Sequence, residues 1–371
     1  MDAAIAAMKN GETGYTPVMG TPALRDAIRV KFKRDNGLDY AEDQVIASNG
    51  GKQIIYNALM STVEPGDEVI VTAPFWMSYL EMTKFAEGVP VVVECHEESS
   101  FKLTPDQLEA AITPRTRWLI LNSPNNPSGT VYSADELRAL AEVLRPHERV
   151  MVMSDDIYEH IIFDGLEYAT MAQVAPYMFE RSLTLNGVSK AYSMTGWRIG
   201  IAGGPADLIK TMSKLQNQST GNPCSISQAA AVAALAGPLD VVRERTAAFQ
   251  ARRDRVVGML SDYFSVPVEI KQFVGRWNKL SPSECTRMPS KVQPSGQFNR
   301  LAKDAVLGTR AWYSQGKFRI ILGPLNKKQF QSFLPGKKAL AQLKLFTEKY
   351  ASPELSYDIQ LISTTEDQAT C

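Results

Sequence analysis

The sequence predicts an α/β protein: a three-layer domain around a mostly parallel sheet, followed by a smaller mixed α+β region. Three observations carry this. Short apolar runs alternate with longer amphipathic segments from Val45 to about Pro205, the runs end repeatedly in small or polar residues, and both periodicity and charge change near Tyr263. Strand, helix, strand is the rhythm of a parallel sheet with helices on its faces.

Taken in chain order, Val69-Ile70-Val71, Trp118-Leu119-Ile120-Leu121, Val150-Met151-Val152-Met153 and Leu183-Thr184-Leu185 read as buried strands, being short, apolar and followed by turn residues. Between the second and third, Ser133 and Glu136 form a capping-box pair ahead of Leu137, Leu140, Ala141 and Leu144 at helical spacing. Ser48-Asn49-Gly50-Gly51-Lys52 opens another helix carrying Ile54, Ile55, Ala58 and Leu59. Beyond Tyr263, Val266, Val268 and Ile270 alternate as in a strand, as do Leu355, Tyr357, Ile359 and Leu361, with a helix from Lys338 to Tyr350 between them.

At 371 residues, with 44% hydrophobic and 22% charged, the chain has the makings of a folded core and not of a disordered one. Four separated cysteines, Cys95, Cys224, Cys285 and Cys371, form no CxxC pair, which argues against a disulfide framework or a thiolate metal site. The amino terminus lacks a basic then apolar leader, and no run of about 18 apolar residues occurs, so a cytoplasmic protein without membrane insertion is expected. Forty Lys+Arg balance forty Asp+Glu, which implies no nucleic-acid partner. The balance is uneven along the chain: 16 basic against 8 acidic residues from Tyr263 onward leave 24 against 32 before it.

In parallel sheets ligands bind beyond the carboxyl ends of the strands, so the residues that follow each apolar run matter most. Each group there has an ordinary reading. Gly50-Gly51 reads as a plain turn or as a phosphate cradle of backbone N–H groups, and Lys190 as a solvated lysine or an imine-forming nucleophile. Asp155 reads as a helix cap or a buried counter-charge, and Arg198 as a surface cation or a phosphate ligand. One ligand uses all of them together, since pyridoxal phosphate needs a lysine for its aldehyde, a carboxylate for its ring nitrogen and donors for its phosphate.

The order of these segments resembles the fold-type I pyridoxal-phosphate aminotransferases, most closely the bacterial aspartate/prephenate branch. The resemblance rests on Gly14-Tyr15-Thr16-Pro17, Asn49-Gly50-Gly51-Lys52-Gln53, Ala73-Pro74-Phe75-Trp76-Met77-Ser78-Tyr79, Asn125-Asn126-Pro127-Ser128-Gly129 and the run Val188-Ser189-Lys190 through Gly196-Trp197-Arg198-Ile199-Gly200. It implies that Lys190 joins the cofactor aldehyde and shuttles the substrate α-proton, and that Asp155 holds the ring nitrogen protonated. It further implies that Tyr158 and Asn126 hydrogen-bond the ring hydroxyl, that Trp76 stacks on the ring, and that Gly51, Lys52 and Arg198 hold the phosphate. Tyr15 would reach the phosphate of a neighbouring subunit, which implies a homodimer, and the substrates implied are an amino acid and a 2-oxo acid.

The resemblance spans residues 1–260, within a domain expected over 1–262, with the family's amino-terminal arm absent. Residues 263–371 are similar instead to the C-terminal region of TssG, a subunit of the type VI secretion baseplate, through Tyr263-Phe264-Ser265-Val266-Pro267-Val268-Glu269-Ile270, Gln272-Phe273-Val274-Gly275-Arg276-Trp277, Asp304-Ala305-Val306-Leu307-Gly308, Gly316-Lys317-Phe318-Arg319-Ile320 and Pro353-Glu354-Leu355. The chain therefore reads as chimeric, by natural fusion, recombinant joining or an error of sequence assembly. Phe318-Arg319-Ile320 echoes the family's carboxylate-gripping arginine segment but is too short to separate from a strand with one cation. Loss of that grip implies an inactive or weak aminotransferase. The alternative is a baseplate assembly protein with a passive amino-terminal part, binding other baseplate subunits.

Overall fold

A computed structural model of the chain describes residues 1–264, 310–314, 317–322 and 357–361. In chain order the helices are α1 (Asp2–Lys9), α2 (Pro22–Asn36), α3 (Gly51–Thr62), α4 (Ser78–Phe85), α5 (Pro105–Ala111), α6 (Ala134–Leu144), α7 (Met171–Val174), α8 (Ala206–Ser219), α9 (Ser225–Ala236) and α10 (Asp240–Phe264). The strands are β1 (Val45–Ser48), β2 (Glu68–Ala73), β3 (Val89–Glu94), β4 (Thr116–Asn122), β5 (Met151–Asp155), β6 (Ser182–Gly187) and β7 (Gly200–Gly203), then β8 (Arg310–Ser314), β9 (Lys317–Leu322) and β10 (Tyr357–Leu361).

Two units are distinguished, one of Met1–Pro124 with Thr130–Glu244, the other of Asn125–Gly129 with the described residues from Arg245 onward. The first holds a seven-stranded sheet of order β1-β7-β6-β5-β4-β2-β3. From β3 to β6 all pairs are parallel, whereas β7 runs antiparallel to both β6 and β1. The antiparallel pairing joins Gly187 to Gly200, so residues 188–199 leave and re-enter the sheet at the same end. The second unit has a three-stranded sheet of order β10-β9-β8, parallel between β10 and β9 and antiparallel between β9 and β8. The segment Phe318-Arg319-Ile320 lies within β9. The expected strand at Val266–Ile270 and the helix Lys338–Tyr350 fall outside the described residues.

Alternate side chains along the central strands divide between two apolar layers, which is what makes the first unit three-layered. Val69, Val71, Trp118, Ile120, Met153, Leu183 and Leu185 face one way, against Ile54, Ile55 and Leu59 of α3 and Leu208, Ile209 and Met212 of α8. Ile70, Leu119, Leu121 and Val152 face the other, against Leu108 of α5 and Leu137, Leu140, Ala141 and Leu144 of α6. A third cluster seals β1 and β7 with Leu24, Ile28 and Phe32 of α2 and Ala231 and Leu235 of α9. Each such side chain, fully buried, contributes roughly 1.5–3 kcal/mol.

Local chemistry sets the helix starts. Ser133 accepts from the Glu136 amide while the Glu136 carboxylate accepts from the Ser133 amide, the capping box expected for α6. Thr21 caps α2, with Pro22 in the first turn, and Gly37 ends it in the left-handed conformation. Among the described residues no single helix is long and apolar enough to cross a membrane.

Candidate active site

The carboxyl ends of β1, β2, β4, β5 and β6 carry the polar segments singled out from sequence. Asp155 is the last residue of β5 and is buried. The Tyr79 hydroxyl donates to its Oδ2 at 2.5 Å, and the Ile157 amide approaches Oδ1 at 3.4 Å. Asn122, closing β4, donates its Nδ2 to the Asp155 carbonyl at 2.8 Å, fixing the strand end itself. Burial pushes the Asp155 carboxyl up to about 6, against the pull of the Tyr79 hydroxyl, the Ile157 amide and the charge of Lys190.

Lys190 follows β6 on the excursion that β7 closes, and its Nζ lies 5.6 Å from the centroid of the Tyr158 ring. Tyr158 is buried in the turn after β5, three residues beyond Asp155. The lysine amine, the phenol and the buried carboxylate thus meet at the ends of adjacent strands. Trp76, before α4, is half-buried and stands edge-on to Tyr79, with centroids 5.4 Å apart and planes at 89°. Lys52 in the first turn of α3 is exposed and places its Nζ 4.9 Å from the Trp76 ring centroid.

At the start of α3, Gly50 has φ +93°, and a Cβ there would stand 2.1 Å from Arg198 Nη2. Arg198 reaches this glycine from the far end of the excursion, donating to the Asn49 carbonyl at 3.3 Å and to the Thr195 carbonyl at 3.1 Å. Gly200 sits against the same turn, where its Cβ would meet the Gly51 nitrogen at 2.3 Å. Gly50 and Gly200 therefore let a helix N-terminus and the Arg198 guanidinium approach without side-chain obstruction.

This donor set fits pyridoxal phosphate: cations and backbone N–H groups for a phosphate, an indole face, and a buried carboxylate for a ring N–H. Seven of the nine residues singled out from sequence lie in the first unit, in or beside the segments that follow β1, β2, β5 and β6; Asn126 belongs to the second unit, where the Ser128 amide and hydroxyl donate to Asn125 Oδ1. Tyr15 does not join them; it is fully exposed, at 101% of its reference area. Sequence reasoning left Tyr79 and Asn122 without a role, although both stand inside quoted or adjacent segments. For Tyr79 the signal was its place three residues after Trp76, one helical turn that brings both rings to the same strand end.

Residues 1–282 match the family model described as aminotransferase class I and II, and residues 228–371 match that described as type VI secretion, TssG, so the two overlap over 228–282. An aspartate aminotransferase of Rhizobium meliloti is 51% identical over 295 residues, covering 80% of this chain and 71% of that protein. The aspartate/prephenate aminotransferase of Cereibacter sphaeroides is 56% identical over 260 residues, covering 70% of this chain and 65% of its own length. The crystal structure of the aspartate aminotransferase from Rhizobium meliloti superposes with a TM-score of 0.69 at 54% identity, covering 70% of this chain and 65% of that one. The chain thus spans less than two thirds of the length of the last two.

Proposed function

The chain belongs to the aminotransferase class I and II family, of fold-type I architecture and dependent on pyridoxal 5′-phosphate, and from that premise we propose that it captures this cofactor through Lys190 and exchanges amino groups between an amino acid and a 2-oxo acid. The supporting observation is the placement of Lys190 over the Tyr158 ring and in the field of the buried Asp155, across adjacent strand ends.

When bound, the cofactor supplies an electron sink for the pair left as an amino acid loses its α-proton. Lys190 gives the amine that holds the aldehyde and then carries the α-proton as a general base and acid. Asp155, in a dry setting, opposes the charge of a protonated ring nitrogen, where an ion pair counts for more than in water. Tyr158 would hydrogen-bond the ring hydroxyl, and the Trp76 face would exclude water from one side of the ring. Gly51, Lys52 and Arg198 hold the phosphate. Tyr15, exposed on its own subunit, serves the phosphate site of a second copy, so the working unit is a homodimer.

The names of the relatives favour aspartate or prephenate as partners in the exchange. Turnover is weak, because the residues that follow the aminotransferase-like part resemble TssG and offer no identified arginine clamp for the substrate carboxylate, and a misplaced substrate costs on the order of 10²-fold or more in rate. The spectrum of purified protein with added pyridoxal phosphate, before and after borohydride, tests the reading. A reducible visible band that Lys190→Ala abolishes is expected, and its absence in folded protein ends the proposal. Rapid transamination by the wild type would overturn only the weak-turnover part.

The TssG match supports a second reading, a baseplate assembly role for the C-terminal region. Copurification with other baseplate subunits, retained in Lys190→Ala, is the result expected of it.

A further inference from the structure

A concentrated set of buried and half-buried charges lies beside the site among the described residues and serves none of the roles above. Glu159 follows Tyr158 directly, its side chain is only 3% exposed, and it pairs with Lys31 of α2, itself 1% exposed. Asn36 Nδ2 donates to Glu159 Oε2 at 2.8 Å, and Lys31 Nζ donates to Asn36 Oδ1 at 2.7 Å. His160 Nε2 lies 3.2 Å from Glu159 Oε1 and 3.3 Å from Asp35 Oδ2. Arg34 grips Asp35 through Nε at 2.6 Å and Nη2 at 2.9 Å, and donates Nη1 to the Leu235 carbonyl of α9 at 2.9 Å.

Asp35, Glu159 and His160 bring three ligating atoms within 4.8 Å of one another, a donor set suggestive of a divalent cation. Lys31 and Arg34 argue against that, because both carboxylates already have cations and a metal would meet two fixed positive charges. A purely adhesive role is also a poor account. Apolar side chains of similar volume would hold α2 to the sheet as well or better, since a buried ion pair roughly repays its own desolvation. What the polar set supplies, and apolar contacts do not, is a single fixed arrangement of donors and acceptors.

We propose that Lys31, Asp35, Glu159 and His160 form a positioning network that fixes the turn carrying Asp155 and Tyr158, with Glu159 as its anchor. The inference rests on the cofactor reading above. The turn is short and tightly coupled: the Glu159 amide donates to the Asp156 carbonyl, and the Ile161 amide to the Tyr158 carbonyl. Anchoring Glu159 to α2 therefore sets the position of Tyr158 one residue away and of Asp155 one turn back. The same helix reaches the other half of the site, because Arg34 stands beside the Tyr192 hydroxyl, two residues past Lys190. Asp156, Tyr168 and Tyr192 are further ionisable groups that face Glu159 among the described residues.

The test uses Glu159→Gln and His160→Gln in the full chain, with Glu109→Gln as a control on the exposed face of α5. Affinity for pyridoxal phosphate and the pH midpoint of its visible band are measured beside the denaturant midpoint of cofactor-free protein. Glu159→Gln is expected to weaken affinity about tenfold and displace the band midpoint, His160→Gln to do so less and in the same direction, and Glu109→Gln to change neither. Lower denaturant midpoints with affinity and band unchanged would make the network merely structural and overturn the proposal. Should Glu159→Gln fail to fold, His160→Gln decides by the same criterion. Wild-type protein that forms no reducible adduct would bring down the cofactor reading and this inference with it, whereas normal adducts in wild type and both variants would bring down the inference alone.

Discussion

The two ends of the site are built on opposite principles. At the Asp155 end Asp155, Tyr79, Tyr158, Glu159 and Lys31 are buried, and three carboxylates have named donors: Tyr79 on Asp155, Lys31 and Asn36 on Glu159, Arg34 on Asp35. At the glycine end, Lys52 and Arg198 are exposed and the fixed elements are backbone, namely Gly50, Gly51 and Gly200 meeting at distances no side chain tolerates. A dry end makes electrostatics strong and alteration costly, whereas an open end spreads recognition over donors that water also serves. Chemistry that depends on holding one proton belongs at the first end, and retention of an anion at the second.

That contrast breaks most sharply at Asp155. Asp155→Asn keeps size and the Tyr79 contact but removes the charge, so the rate of the half-reaction with an amino acid should fall on the order of 10²–10³-fold while the protein still folds, as single-turnover absorbance would read. A loss under threefold would mean that the buried end is structural. Gly50→Ala probes the other end. At φ +93° an alanine costs about 1–3 kcal/mol of backbone strain, and its methyl displaces the Arg198 guanidinium, so phosphate affinity should drop with a modest fall in denaturant midpoint. Phosphate affinity unchanged in Gly50→Ala would separate Arg198 from anion binding.

The smallest effect is on the pH dependence of cofactor-free stability. Burial raises the Glu159 carboxyl but Lys31, His160 and Asn36 overrule it and hold it down at about 2, so its stabilisation is present above the ordinary glutamate value near 4.5 and lost as pH falls toward 2. Burial disfavours His160⁺, yet Asp35 and Glu159 raise its pKa to about 9, so that contribution is full below about 6.5 and lost as pH rises through 9. Burial lifts Asp155 to about 6 and Asp156 to about 8, so each destabilises progressively as pH rises from the ordinary aspartate value near 3.8 to its raised value. Stability should therefore peak near pH 4.5 and decline toward 9, and His160→Gln should flatten the part of that decline above pH 6.5 in a series of urea midpoints; an equally steep decline there would place the titration elsewhere.

Much of the first unit was legible because its chemistry is local. The apolar runs at Val69, Trp118, Val150 and Leu183 correspond to β2, β4, β5 and β6, and the Ser133 and Glu136 pair does cap α6. β3 escaped notice because Val89-Pro90-Val91-Val92-Val93-Glu94 lies at the sheet edge, half-exposed and interrupted by proline. β7 escaped because Gly200-Ile201-Ala202-Gly203 owes its place to close packing that only glycine permits, which is not a periodic signal. The strand-end residues could be picked out once a single ligand was seen to require them all. The Lys31 to Glu159 network could not, since it joins residues more than a hundred positions apart whose types, taken singly, read as a solvated helix face.

The reversal of β7 has a consequence for how the site is assembled. Because Gly187 pairs with Gly200, the stretch bearing both Lys190 and Arg198 is a tether pinned at both ends to the same end of the sheet. The proposed covalent handle and the proposed anion anchor, on one doubly pinned tether, share a single ordering cost, and neither can wander without unzipping the strand pair that closes the loop. Lengthening that tether by a residue or two would slacken both attachments at once, while the same insertion at the exposed His96, before α5, would leave them taut.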